Sequence, residues 1–224
     1  MKEISLNDAK KIKLFSRIET KYKCDFYQFC CLSKYLYDNY NVVSDNGTIL
    51  FDYMTAYFDT PDLLMFNDHK NNIKTRQKIR IREYSNGNKY LEIKQKNDGK
   101  TSKTRIPIEL TNIDSNFNWL KNHFNWLKNH TLYNINKLTH ILNVKYLRIT
   151  FISNDYNERI TIDFNIEFFN LTNNVNKKIN DVIIEVKQNE NYESNIKDIL
   201  DSYNIKECNF SKYFNGLNYT TIVK

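Results

Sequence analysis

Several stretches of the sequence place a charged residue at every second position. The clearest carry Lys78, Arg80 and Arg82, then Glu92, Lys94 and Lys96, then Lys103 and Arg105. Period-two spacing puts such residues on one face of a strand, with Ile79 and Ile81, or Leu91 and Ile93, on the other. The same alternation gives Arg17, Glu19 and Lys21; Arg148 between Leu147 and Ile149; Arg159, Asp163 and Glu167; and Glu185 with Lys187. The simplest account is an antiparallel sheet with a wet side. The helical segments also carry apolar stripes, however. If those stripes cover the apolar side of a closed sheet, the charged faces converge on a lumen. Converging cations repel and desolvate badly unless an anion lies among them. A polyphosphate chain would meet that need, with arginine binding it by bidentate forks and lysine as a point charge. The carboxylates would hold a hard divalent cation bridging phosphate oxygens.

Eight segments have strand patterning: Phe15 to Tyr22, Ile49 to Phe58, Arg76 to Tyr84, Lys89 to Lys96, Lys103 to Leu110, Lys145 to Ile152, Glu158 to Phe169 and Asp181 to Gln188. Ser85-Asn86-Gly87-Asn88 and Asn97-Asp98-Gly99 read as hairpin turns, because Asn and Gly accept positive φ. Pro107 marks its segment as an edge, a bulge or an early strand end. Asp25 reads as the cap of a helix with Phe26, Phe29, Cys30 and Leu36 toward one side. Pro61 to Leu64 reads as a helix start with Pro in its first turn. Ile196, Ile199 and Leu200 mark another helix, and FNWLKNH at Phe117 to His123 repeats at Phe124 to His130, about two helical turns long.

The 224 residues carry 33 Lys+Arg against 26 Asp+Glu, a net charge of +7. Length and uninterrupted patterning predict one domain over residues 1–224. Four Gly and two Pro exclude collagen, flexible linkers and Gly-rich phosphate loops. No run of 18 apolar residues predicts a membrane span, and the N-terminus has no secretory pattern, so a cytoplasmic location is expected. Cys24, Cys30, Cys31 and Cys208 form no C-x-x-C pair, and the four His show no H-E-x-x-H, which excludes zinc chemistry. The Asn, Lys, Ile, Tyr and Phe content matches AT-rich codons, so the positions of the cations carry more than their number.

These residues fall into ordered motifs: R-I-E-T-K-Y at Arg17 to Tyr22, Y-F-D-T at Tyr57 to Thr60, K-I-R-I-R at Lys78 to Arg82, L-E-I-K-Q-K at Leu91 to Lys96, R-I-T-I-D at Arg159 to Asp163, I-E-V-K at Ile184 to Lys187 and S-K-Y at Ser211 to Tyr213. The series resembles the catalytic domain of VTC-type polyphosphate polymerases, within the triphosphate tunnel metalloenzyme superfamily. The resemblance implies an α+β fold in which an eight-stranded antiparallel β tunnel has a charged interior and helices packed outside. It also implies transfer of the terminal phosphoryl of ATP to a growing polyphosphate chain, with Mn2+ or Mg2+ as cofactor. By motif, Lys21, Arg80, Arg82, Arg148 and Arg159 take the catalytic phosphate contacts. Lys78, Lys94, Lys96, Lys103, Arg105, Lys187 and Lys212 bind substrate, Glu185 holds the metal, and Glu19 and Glu92 help it. Tyr22 and Tyr213 read as packing or hydrogen-bonding groups. Hydrolytic branches open with E-x-E-x-K; Arg17 in place of the first Glu favours the VTC-like branch and weakens metal binding at that end.

The expected partners are ATP and polyphosphate or pyrophosphate. No nucleic acid is expected, and a separate membrane partner would be needed for regulation or export. The alternatives are a triphosphatase, with water as acceptor, and a non-catalytic polyphosphate-binding module. A nucleic-acid module would instead show salt-sensitive binding over a surface patch.

Overall fold

The computed structural model describes residues 2–12, 14, 17–109 and 122–221. The chain opens with β1 (Lys2–Ser5), α1 (Leu6–Lys11), β2 (Arg17–Cys24), α2 (Phe26–Asn39), β3 (Tyr40–Ser44) and β4 (Phe51–Asp59). Next come α3 (Leu64–Lys70), β5 (Thr75–Tyr84), β6 (Lys89–Asn97), β7 (Lys100–Ile108) and α4 (Phe124–His130). A 3-10 turn at Ile135–Lys137 leads into β8 (Thr139–Ser153), β9 (Glu158–Asn170) and β10 (Val175–Ile179). The last elements are β11 (Val182–Asn189), α5 (Ile196–Ser202), β12 (Lys206–Glu207) and α6 (Lys212–Thr220). The fold is α+β, built on a large, mainly antiparallel sheet ordered β12-β2-β11-β9-β8-β4-β5-β6-β7.

Two compact units divide the chain. The first comprises Met1–Asp52, Tyr146–Ile166 and Lys178–Phe210. Its core lies on one face of β2, β9 and β11, where Tyr22, Ile160, Ile162, Ile184 and Val186 are buried with Phe29, Leu32 and Leu36 of α2 and Leu200 of α5. Asp25 starts α2 with a reciprocal capping box: its carboxylate accepts from Gln28 N at 2.7 Å, and its own N–H donates to Gln28 Oε1 at 3.1 Å. The buried stripe of this helix differs from expectation, since Phe26 and Cys30 are exposed and Leu32 takes the inward place.

The second unit comprises Tyr53–Lys145, Glu167–Lys177 and Ser211–Lys224. Here β5, β6 and β7 pair in register, with Ile79 opposite Ile93 and Ile81 opposite Leu91 on the buried face. Gln77, also on that face, donates to the carbonyl of His130 at 2.8 Å and accepts from Leu132 N at 2.8 Å, which fastens the end of α4. Pro107 lies on β7, the last strand of the order, where a missing N–H costs no ladder bond. Asp59 closes β4 and is fully buried. Its carboxylate accepts from the N–H groups of Thr60, Met65 and Phe66 and from the Tyr213 hydroxyl. This one side chain therefore ties β4, the start of α3 and α6 together. Burial pushes the Asp59 carboxyl up, against the pull of those donors.

All eight expected strands are present, with shifted ends. The expected helix at Pro61 begins instead at Leu64, after Leu63 in left-handed conformation (φ 55), so Pro61 belongs to the preceding turn. β1, β3, β10 and β12 are short, with too few residues to show alternation. The first half of β8 was missed because His140, Ile141 and Leu142 are buried in succession, which erases the period. Asn165 (φ 51) interrupts β9, and beyond it Glu167 bonds Asn176 of β10 at 2.7 Å rather than continuing the row of Arg159 and Asp163. Phe15, Leu110, the side chain of Arg17 and most of the first FNWLKNH copy lie outside the described residues; the second copy is α4.

A Cβ added at Gly216 of α6 would lie 2.5 Å from Phe168 Cδ1 and 2.8 Å from Leu142 Cδ2, both fully buried. Ala at a helix interior gains about 1 kcal/mol of propensity over Gly, whereas overpacking costs about 1–3 kcal/mol. Gly216→Ala is therefore expected to lower unfolding stability despite its better helix propensity, as read from the urea midpoint.

Candidate functional site

On the second unit's polar face the ladder sets cations directly opposite one another. Lys78 of β5 faces Lys94 of β6, which faces Lys103 of β7; Arg76 faces Lys96 one step along. Like charges opposite each other on neighbouring strands are destabilising. The next row is Tyr57, Arg80, Glu92 and Arg105. Glu92 is fully buried and is the counterion of the group: Arg80 donates to Oε2 from Nη2 at 2.7 Å and from Nε at 2.9 Å, and Lys103 donates to Oε1 at 3.1 Å. Burial works to raise the Glu92 carboxyl, but Arg80, Arg82 and Lys103 outweigh it and hold the group at about 2. Lys103 is lowered as well, to about 8, by desolvation and by Arg80 and Arg82, with Glu92 resisting; here the shift disfavours the charged form. Its side chain keeps 35% exposure, so solvent screens part of that burial effect.

The Tyr57 phenol registers the same field. Its burial alone would raise it, yet Arg80, Arg82 and Lys212 bring it below its ordinary value. Lys78 donates to Ser211 Oγ at 2.8 Å, and Ser211 caps α6 by accepting from Phe214 N, so the S-K-Y segment is fixed beside the lysine row. Arg82 is nearly buried, and its Nε lies 3.4 Å from Thr55 Oγ1.

The first unit carries a second charged face. β2 and β11 pair Lys21 opposite Glu185 and Glu19 opposite Lys187, and β9 adds Arg159 opposite Lys187. Across β2 and β11 the charge alternates: Lys187 pairs with Glu185 and Lys21 with Glu19, the latter at 3.3 Å. Burial would raise the Glu185 carboxyl, but Lys187, Lys21 and Arg148 hold it well below the usual carboxylate range. Arg148 makes a two-pronged pair with Asp163, at 2.5 Å from Nε and 2.7 Å from Nη2. Lys21 also donates to the Phe210 carbonyl at 3.0 Å. Arg159 donates to the carbonyls of Ala9 at 2.8 Å and Ile12 at 3.3 Å, at the end of α1.

The sequence-derived site residues thus fall on two faces. Lys78, Arg80, Arg82, Glu92, Lys94, Lys96, Lys103, Arg105 and Lys212 belong to the second unit, and Glu19, Lys21, Arg148, Arg159, Glu185 and Lys187 to the first. Sequence reasoning did not identify the Arg148–Asp163 fork, the burial of Tyr57 among arginines or the α1 carbonyls on Arg159. Asp163 was legible as a charged-face residue, but its partner stands on another strand. A backbone acceptor leaves no sequence signal at all.

For a divalent ion, the oxygen donors Glu185 and Glu19 lie diagonally across one face, both ionic partners of lysine. Among the described residues no three His, Cys, Asp or Glu side chains cluster as a metal cage. Two carboxylates fit the mode in which Mg2+ or Mn2+ takes few protein ligands and completes its shell with water and substrate phosphate. Both oxygens of Glu92 are already engaged by cations.

The model of the VTC domain family matches residues 16–221. No curated protein matches the chain by sequence. Among solved structures, HpAC1 of Hippeastrum, a suggested adenylyl cyclase with a dominant triphosphatase activity, superposes with a TM-score of 0.59 at 13% identity, covering 92% of this chain and 97% of that one. A suggested adenylate cyclase from Bacillus halodurans gives a TM-score of 0.54 at 15% identity, covering 88% and 96%. The PH1819 protein of Pyrococcus horikoshii gives 0.51 at 13% identity, covering 90% and 99%. At these identities the likeness is one of fold alone. Among the described residues no helix is long and apolar enough to cross a membrane. The family match over nearly the whole length makes this chain a member of the VTC-domain family.

Proposed function

We propose that the chain is a metal-dependent polyphosphate polymerase that works as a single cytoplasmic domain of the closed β tunnel type. The observation that carries this reading is the Lys78–Lys94–Lys103 row, three cations set side by side across adjacent strands. Such a row carries mutual repulsion that a bound polyanion would relieve, and a phosphate chain matches its linear form and sign. Membership of the VTC-domain family supports ATP as donor and polyphosphate as acceptor.

In the proposed reaction a terminal oxygen of the acceptor chain attacks the γ-phosphorus of ATP. The bond to the β–γ bridging oxygen breaks, and ADP leaves with that electron pair. Phosphoryl transfer of this kind depends on positioning and charge neutralisation rather than on a protein nucleophile. Arg80 and Arg82, already held by Glu92 and Thr55, supply preset guanidinium forks. Lys21, Lys187 and Arg148 hold charge around Glu185, which together with Glu19 would bind Mn2+ or Mg2+. That ion, when bound, neutralises phosphate oxygens. HpAC1, with its dominant triphosphatase activity, supports a second reading in which water takes the acceptor's place.

The discriminating assay is incubation with ATP and Mn2+, with and without a short polyphosphate primer, followed by resolution of phosphate chain lengths. A lengthening ladder with matching ADP is expected; orthophosphate alone would move the assignment to triphosphatase. Arg82→Ala should weaken triphosphate binding by about 1.5–3 kcal/mol, the worth of one charge-assisted contact, and near-wild-type affinity would remove Arg82 from the site. Glu185→Gln should abolish metal-dependent turnover; turnover with unchanged metal dependence would remove Glu185 from the metal's ligands.

The lowered pKa of Lys103 makes a further prediction. An anion favours the charged amine, so triphosphate binding should be strongest below pH 8 and weaken as pH rises through it. Lys103→Arg should flatten that decline, as followed by calorimetric titration at pH 7 to 9.5.

A further inference from the structure

One end of the second unit's charged face is aromatic rather than cationic. Beyond the Arg80–Glu92 row, the ladder places Thr55, Arg82, Tyr90 and Pro107 in register, and then Tyr53 opposite Tyr84. The rings meet edge to face: Tyr53 and Tyr84 have centroids 5.2 Å apart at 61°, and Tyr84 and Tyr90 lie 5.7 Å apart at 88°. Two guanidinium groups lie over this cluster, Arg105 at 4.6 Å from the Tyr90 centroid and Arg82 at 5.7 Å from that of Tyr53. The three rings are half-buried, while Ala56, Ile81 and Leu91 on the opposite face are fully buried. The tyrosines thus stand on the ligand side of the sheet and not in its core.

We infer that Tyr53, Tyr84 and Tyr90, with Arg105, form a subsite for the base of a nucleoside triphosphate, and that the nucleotide lies with its base at this end and its terminal phosphate toward Lys78. The inference rests on the phosphate-binding reading of this face. Aromatic faces and planar guanidinium groups stack on bases of any sequence, whereas inorganic phosphate has no surface to stack. Same-face neighbours along a strand are about 6.8 Å apart. A phosphate on Arg82 therefore leaves one strand step for the sugar and base to reach Tyr84, and the remaining phosphates extend toward Arg80 and Lys78. The orientation also puts the leaving nucleoside diphosphate at the aromatic end and the phosphoryl group being transferred at the lysine row. Cross-strand tyrosine pairs also stabilise sheets without any ligand, so the test must separate stacking on a base from support of the strands.

The test is calorimetric binding of ATP and of inorganic triphosphate to the full chain, as wild type, Tyr84→Ala and Tyr84→Phe. Stacking of one base on an aromatic ring corresponds to about 5- to 150-fold in affinity. Tyr84→Ala should lower the ratio of ATP to triphosphate affinity by a factor in that range, and Tyr84→Phe should restore most of it. Equal losses for both ligands, or no loss for ATP, would overturn the subsite. As a check independent of any variant, photolysis of the wild-type chain with 8-azido-ATP should label the peptides carrying Tyr84 or Tyr90; labelling confined elsewhere would overturn the assignment. Wild-type protein that binds triphosphate as tightly as ATP overturns the subsite alone, and protein that binds neither overturns the phosphate-binding reading with it.

Discussion

A fully buried carboxylate loses several kcal/mol of hydration, and a partner must restore what burial removes. Glu92 is restored by Arg80 at one oxygen and Lys103 at the other. The exchange works in both directions. With Glu92 ionised, Arg80 has a fixed direction and Lys103 remains protonated near neutral pH. Without it, the arginines and lysines on this face of β5, β6 and β7 would face one another with no carboxylate of these strands among them. The polar face of the second unit depends on this one side chain: it supplies negative charge at the centre of the row and leaves the face positive.

The first unit solves the same problem differently. Its strands interleave Glu19 with Lys187 and Glu185 with Lys21, so these two lysines each have a neighbour of opposite sign. One face is close to neutral and offers carboxylate oxygens, while the other is strongly positive.

The fold was legible in the sequence wherever one side of a strand is wet. The alternation in Lys78 to Arg82 and Leu91 to Lys96 shows the strand, its face and its charge together, and Asn86-Gly87 shows the turn between them. Where both sides are buried, as at His140 to Leu142, the signal disappears. The elements of the site were legible because charge at period two is rare in a core. Its partnerships were not. Nothing local in the sequence brings Asp163 to Arg148, or sets Asp59 beneath Tyr213 from a distance of 154 residues. Register between strands creates these pairs, and register is a property of the assembled sheet. The misread stripe of α2 has a similar origin: Phe26, Phe29 and Cys30 obey helical spacing, but only contact with the sheet decides which edge of the stripe is covered.

The end of α1 meets Arg159 through main-chain oxygens, those of Ala9 and Ile12. These residues precede position 16, where the family match begins. Exposed side chains along α1 can drift through substitution, because any residue compatible with a helical turn presents the same oxygens, although Ala9 is itself buried. Length cannot drift in the same way: inserting or deleting one residue before Ile12 rotates the helix end by about 100° and carries the oxygens off the guanidinium. Divergence at the exposed positions of this segment should therefore appear as substitutions rather than insertions or deletions, a constraint on spacing more than on identity.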